Sequence, residues 1–134
     1  MTLADIMHRP VVTIDMDSTL ERVRDIFDEQ CFHHLIVEDA GRIVGVVSDR
    51  DLLRHLSPFV GAAWAERRQD TQTLARKVHQ IMHRDVITAA PETTAGDAAR
   101  TMMSQNISCL PVVDDAGALR GIITVHDLLK AAYR

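Results

Sequence analysis

The chain repeats itself, and this constrains its fold more than any other feature. Ile6-Met7-His8-Arg9 returns as Ile81-Met82-His83-Arg84, and Val11-Val12-Thr13 as Val86-Ile87-Thr88, both at an offset of 75 residues. Leu35-Ile36-Val37 corresponds to Leu110-Pro111-Val112 at the same offset, and Ala40-Gly41 to Ala116-Gly117 at 76. Gly45-Val46-Val47-Ser48-Asp49-Arg50-Asp51-Leu52-Leu53 then matches Gly121-Ile122-Ile123-Thr124-Val125-His126-Asp127-Leu128-Leu129, again at 76. One inserted residue near Val113 accounts for the change of offset. A chain built this way must fold as two copies of one supersecondary unit.

Each copy has the same order of signals. A helical turn (Leu3 to Met7; Val78 to Met82) leads to a short strand, Val11 to Ile14 or Val86 to Ala89. A helix follows. In the first copy Ser18 and Glu21 form a candidate capping box, with Leu20, Val23, Ile26 and Phe27 on the inner face. In the second, Ala95, Ala98, Ala99, Met102 and Met103 hold the equivalent face. Next come strands Leu35 to Val37 and Leu110 to Val113, then the turns Asp39-Ala40-Gly41 and Asp114-Asp115-Ala116-Gly117, where glycine supplies positive φ. Ile43 to Ser48 and Leu119 to Thr124 are the third strands, each running into a closing helix. Each copy is therefore βαββα, an α/β (α+β) class with a small sheet per copy. The boundaries are 1–56 for the first repeat, 57–77 for the inter-repeat segment and 78–134 for the second. Ser57-Pro58-Phe59-Val60-Gly61 breaks the closing helix, Glu66 to Asp70 is polar, and Thr71 to Gln80 reads as a helix. That segment serves as a cap over a pocket, a dimer contact or a plain connection; the residues do not choose among these.

A net charge of −4 argues against charge-driven binding to nucleic acid. No apolar run approaches the roughly 20 residues of a membrane span, and no signal-peptide pattern opens the chain, so the expected location is cytoplasmic. Cys31 and Cys109 lack zinc-type spacing and are expected to be free thiols. No metal site is expected. No Ser-His-Asp signature or glycine-rich phosphate loop occurs, and nothing near Cys109 in sequence activates it, so an enzyme is not expected.

The βαββα repeat, the Leu-Pro-Val-Val-Asp strand at Leu110 to Asp114 and the glycine–hydroxyl–aspartate junctions resemble the CBS domain family. The chain is similar to a tandem CBS pair, or Bateman module, over nearly its whole length. The resemblance implies two three-stranded sheets about a pseudo-twofold axis, two clefts between the repeats, and adenine nucleotides or S-adenosylmethionine as regulatory ligands. It also implies a homodimer that passes a shape change to an unidentified regulated protein. No cofactor is required, although Mg2+ can accompany a nucleotide.

The residues at the junctions fit such a ligand. Asp51 and Asp127 are candidates for the ribose, because an ionised carboxylate accepts from both cis hydroxyls. Ser48 and Thr124 are candidates for phosphate, beside a helix N-terminus that favours anions. His33, His34, Arg50 and His126 are further phosphate candidates, with Arg9 and Arg84 behind them. Val12, Thr13 and Ile36 in one copy, and Ile87, Thr88 and Pro111 in the other, are candidates for an adenine slot, though all suit a core equally well. The competing reading of each aspartate is an ordinary helix cap, with Ser48 or Thr124 as N-cap. His33-His34 in one copy against Ser108-Cys109 in the other predicts two unequal sites. The alternative function is a ligand-free scaffold for dimerisation or protein interaction.

Overall fold

The structure is a computed structural model that describes residues 1–30, 33–55 and 73–133. It divides into two compact units, Thr13–Val86 and Met1–Val12 with Ile87–Arg134. The units do not coincide with the sequence repeats. The leading segment of each repeat packs into the unit that holds the other repeat's sheet.

The first of these, the Asp51 unit, contains β1 (Thr13–Asp15), α1 (Leu20–Glu29), β2 (His34–Asp39), β3 (Arg42–Ser48) and α2 (Asp49–His55). Its sheet order is β1-β2-β3, parallel then antiparallel. Ala40 and Gly41 form the two-residue turn between β2 and β3, and both have positive φ, the geometry that matches hairpin twist. On β2, Leu35 and Val37 face the unit's apolar core, which Leu20, Val23 and Ile26 of α1 complete. Val78, Ile81 and Met82, from the opening of the second repeat, complete the same core.

Two local expectations are corrected here. The N-cap of α1 is Thr19, whose hydroxyl accepts from Arg22 N–H, and not Ser18. The backbone around Ser18 is instead tied to the 76–79 segment, with Val78 N–H donating to Ser18 O and Leu20 N–H to Arg76 O. The same bonds explain why the described part of the expected Thr71 to Gln80 helix, residues 73–80, is not one continuous helix: it holds the two 3-10 turns Thr73–Ala75 and Val78–Gln80. Arg76 O and Val78 N–H pair across to α1's entrance, so they are not available to a helix of their own.

The second, the Asp127 unit, contains the short helix Leu3–Ile6, then α3 (Ala95–Gln105), β4 (Cys109–Val113), β5 (Leu119–Thr124) and α4 (Val125–Ala132). Thr94 caps α3 by accepting from Asp97 N–H, and Asn106 closes it in the left-handed region. Leu3, Ala98, Met102, Leu110, Val112 and Ile123 form the core, with Ile6 and Met7 packed against it. Met103, expected inside, is exposed.

The expected strand from Val86 to Ala89 is reduced to a single parallel bridge, Ala89 with Val112, beside the two-stranded β4-β5 sheet. Ala89 N–H donates to Pro111 O, and Val113 N–H donates to Ala89 O. Pro111 stands where the first repeat has Ile36 and has no N–H to extend the ladder. The expectations for Cys31 and for residues 57–72 lie outside the described residues.

Candidate functional site

Both strand-to-helix junctions are built on a buried aspartate. At the end of β3, Ser48 N–H donates to Asp51 Oδ2 at 2.9 Å, and Asp51 N–H donates back to Ser48 Oγ at 3.1 Å. At the end of β5, Thr124 N–H donates to Asp127 Oδ2 at 2.9 Å, and Asp127 N–H donates to Thr124 Oγ1 at 3.3 Å. These are reciprocal capping boxes. The capping reading is thus realised in both copies, with 7% of Asp51 and 6% of Asp127 exposed.

The second oxygen of each carboxylate meets a histidine that the sequence did not single out for a site. His83 Nε2 is 2.9 Å from Asp51 Oδ1, and His8 Nε2 is 2.5 Å from Asp127 Oδ1. The rings themselves are open, at 70% and 63% side-chain exposure. Each histidine reaches the junction on the exchanged leading segment. His83 and Val46 bond to each other through their backbones in both directions, as do His8 and Ile122. The preceding methionines lie against the junction glycines: a Cβ on Gly45 would fall 2.6 Å from Met82 Sδ, and one on Gly121 would fall 2.5 Å from Met7 Sδ. The signal was present in the repeated Ile-Met-His-Arg, but repetition shows which residues correspond, not which ones touch.

Burial pushes the Asp51 carboxyl up, yet the bonds from Ser48 and His83 outweigh it and hold the group below the ordinary carboxylate range. Asp51 is therefore an ionised acceptor at neutral pH, held in place by its cap.

The phosphate candidates are distributed unevenly. His33 Nδ1 lies 2.7 Å from Asp49 Oδ2, an ion-pair distance on the exposed side of the same junction. His34 is paired with Ser48 in the sheet register. Burial is the main influence on its ring and lowers its pKa, against the opposing pull of Asp49. This disfavours a charged phosphate ligand at His34. Arg50, Arg84, Arg9 and His126 are exposed, and Arg84 donates to His79 O at 2.8 Å. Thr124 Oγ1 donates to Asp127 Oδ2 at 3.0 Å, so its proton is directed inward. In the second copy, Cys109 pairs with Thr124 and is buried, which pushes its thiol up to about 12.

Of the adenine candidates, Ile36 and Pro111 are fully buried. Neither belongs to its unit's core cluster, since alternation along the strand turns them to the opposite face. Thr13 is half-buried and pairs with Ile36. Ile87 packs on the core, while Val12 and Thr88 are exposed. No group of three or more His, Cys, Asp or Glu able to hold a metal ion occurs among the described residues. Within the same residues no helix is long and apolar enough to cross a membrane.

The CBS domain family matches residues 3–58 and 78–134. The chain belongs to the CBS domain family. A CBS domain-containing protein of Dictyostelium discoideum is 33% identical, over 92% of this chain and 86% of that protein. Among solved structures, the CBS domain pair of MJ0100 in complex with 5′-methylthioadenosine and S-adenosyl-L-methionine is 25% identical. It superposes with a TM-score of 0.80, covering 98% of this chain and 95% of the other. CBSX2 in complex with AMP is 28% identical, with a TM-score of 0.78 over 98% and 95% of the two chains. Some relatives are longer: this chain spans 45% of one from Methanocaldococcus jannaschii. The tandem CBS arrangement and the mixed α+β fold are thereby established for this chain.

Proposed function

We propose that this CBS pair is a regulatory sensor of an adenosyl ligand, an adenine nucleotide or S-adenosylmethionine. Asp51 and Asp127 take ribose hydroxyls, and Ser48 with His33 and Arg50 serves the phosphate or sulfonium-bearing tail. The observation that carries this reading is the buried aspartate, built twice, with one oxygen fixed by the cap and the other turned to an exposed imidazole. Supporting it, CBS pairs of the same fold bind AMP in one case and S-adenosylmethionine with methylthioadenosine in another. The module acts by binding and not by catalysis; Mg2+, where present, arrives on the phosphates. It works in the cytoplasm on an unidentified protein partner. The two repeats, 1–56 and 78–134, act as one module.

A homodimer is part of this reading. Leu53 and Leu129 are equivalent in the two repeats, and both are exposed, at 73% and 52%. With Val125 and Tyr133 they give the closing helices outward apolar positions. The same positions carry the second reading, a scaffold that dimerises without a ligand.

A melting screen against AMP, ADP, ATP and S-adenosylmethionine tests the first. A ligand at about one hundred times its Kd adds about 2.7 kcal/mol to the folded state, a rise of several degrees. No shift with any of the four, together with a dimer unaffected by nucleotide in light scattering, overturns the sensor in favour of the scaffold.

A further inference from the structure

An ionised carboxylate has about four acceptor positions. Each junction aspartate meets three donors among the described residues. Asp51 takes Ser48 N–H, the Ser48 hydroxyl and His83 Nε2. Asp127 takes Thr124 N–H, the Thr124 hydroxyl and His8 Nε2. About one position is left on each, whereas a ribose brings two hydroxyl donors. Two of the three donors cannot give way, because the N–H and the hydroxyl are the helix cap itself. The third can. The aspartate side chains are 10% and 4% exposed, but the imidazoles on them are 70% and 63% exposed.

We infer that His8 and His83 compete with the ligand's diol for Asp127 and Asp51, so that a ribose displaces the imidazole at either junction. This rests on the adenosyl reading above and adds to it the residues that oppose binding. A change of side-chain rotamer carries the ring off the carboxylate, while the backbone bonds to Val46 or Ile122 keep the leading segment in place. The ring, already largely exposed, exchanges its carboxylate for water. The carboxylate exchanges one donor for two and remains a paired anion, so a diol gains one hydrogen bond there instead of two. A sugar with a single hydroxyl uses the remaining position and leaves the imidazole where it is. Both histidines therefore narrow the discrimination between ribo- and 2′-deoxyribo-ligands, and both do so in the same way.

Calorimetric titration with AMP and 2′-deoxy-AMP tests this one junction at a time. Asp127→Asn retains the Asp51 junction, and Asp51→Asn retains the Asp127 junction. Adding His83→Ala to the first, or His8→Ala to the second, should tighten AMP about tenfold or more, the value of one hydrogen bond to a charged group. Binding of 2′-deoxy-AMP should not change. Glutamine at the same positions keeps a donor of similar reach, so His83→Gln and His8→Gln should bind like their histidine parents. The wild-type protein supplies a second measurement that needs no substitution. Saturation with AMP should move the imidazole nitrogen resonances of His8 and His83 to those of rings free of a carboxylate, and 2′-deoxy-AMP should not. Weaker or unchanged AMP binding in the alanine variants, or equal tightening of both nucleotides, overturns the inference while the sensor reading stands. So do imidazole resonances that AMP leaves in place. Failure of the wild type and of every histidine variant to bind either nucleotide overturns the sensor reading itself.

Discussion

A methyl group placed on Gly45 tests whether the leading segment of the second repeat really closes the first repeat's junction. The new Cβ of Gly45→Ala would lie 2.6 Å from Met82 Sδ, 2.9 Å from Met82 Cγ and 3.0 Å from His83 O. Favourable carbon contacts lie at about 3.5–4.0 Å, so the methionine must move by nearly an ångström. Its side chain is flexible, but it sits in the core, and the carbonyl behind it is fixed by the paired backbone bonds between His83 and Val46. Overpacking of this kind costs about 1–3 kcal/mol. Removing a glycine offsets about 0.4–1 kcal/mol of that through the unfolded chain, since Gly45 does not need positive φ. The expected net loss is about 1–2 kcal/mol. Urea unfolding reads it as a fall in midpoint of roughly 0.5–1 M at ordinary slopes. Met82→Ala alone should cost about 2–5 kcal/mol. In that background Gly45→Ala should cost markedly less, since only the contact with His83 O remains, a coupling between the two sites above the few tenths seen for independent positions. Additive effects, or a Gly45→Ala protein as stable as wild type, would refute the exchanged packing. Gly121 and Met7 form the equivalent pair and should behave alike.

Two further outcomes follow from charge and burial. The folded-state pKa of Asp51 is lowered, so its ionised form adds stability that is complete above the ordinary carboxylate range near 4. That contribution disappears as pH falls below this range through the folded-state value. The stability gap between wild type and Asp51→Asn should therefore narrow below about pH 4; a gap constant from pH 7 to pH 3 would rule this out. Cys109 is buried with its thiol raised to about 12, so in a Cys31→Ser background native protein should resist alkylation at pH 8 and react on unfolding. Rapid labelling of the native protein would contradict its place in the strand.

Much of the fold was legible because it is local. The duplication, both glycine turns and five of the six expected strands rest on short-range patterns. The errors occur where distant backbone decides. Ser18 and Thr19 are adjacent hydroxyl residues, and either suits a cap; the bridge between Thr19 and Lys77 and the bond from Val78 N–H to Ser18 O settle the choice. The strand at Val86 to Ala89 is limited by a proline in its neighbour, Pro111, and not by its own composition. The candidate site was legible as far as its aspartates and hydroxyls. The histidines were not, because their role depends on the exchange of leading segments. A periodic pattern can place His8 one residue after a half-buried methionine. It cannot say that the methionine rests on Gly121 and the imidazole on Asp127.

The exchange also removes an apparent conflict about the aspartates. A residue that caps a helix and a residue that binds a ligand are usually offered as alternatives. In the proposed sensor the cap is what makes binding at the aspartate feasible. An uncompensated buried carboxylate would take up a proton and lose half its value as an acceptor. The backbone N–H on Oδ2 keeps Asp51 ionised and fixes the plane of the group, so Oδ1 is presented without further ordering. The cost of placing the charge is met within the folded protein, before any ligand arrives, which is the general route to tight binding from few contacts. The imidazole on Oδ1 satisfies the second oxygen while its own ring stays exposed.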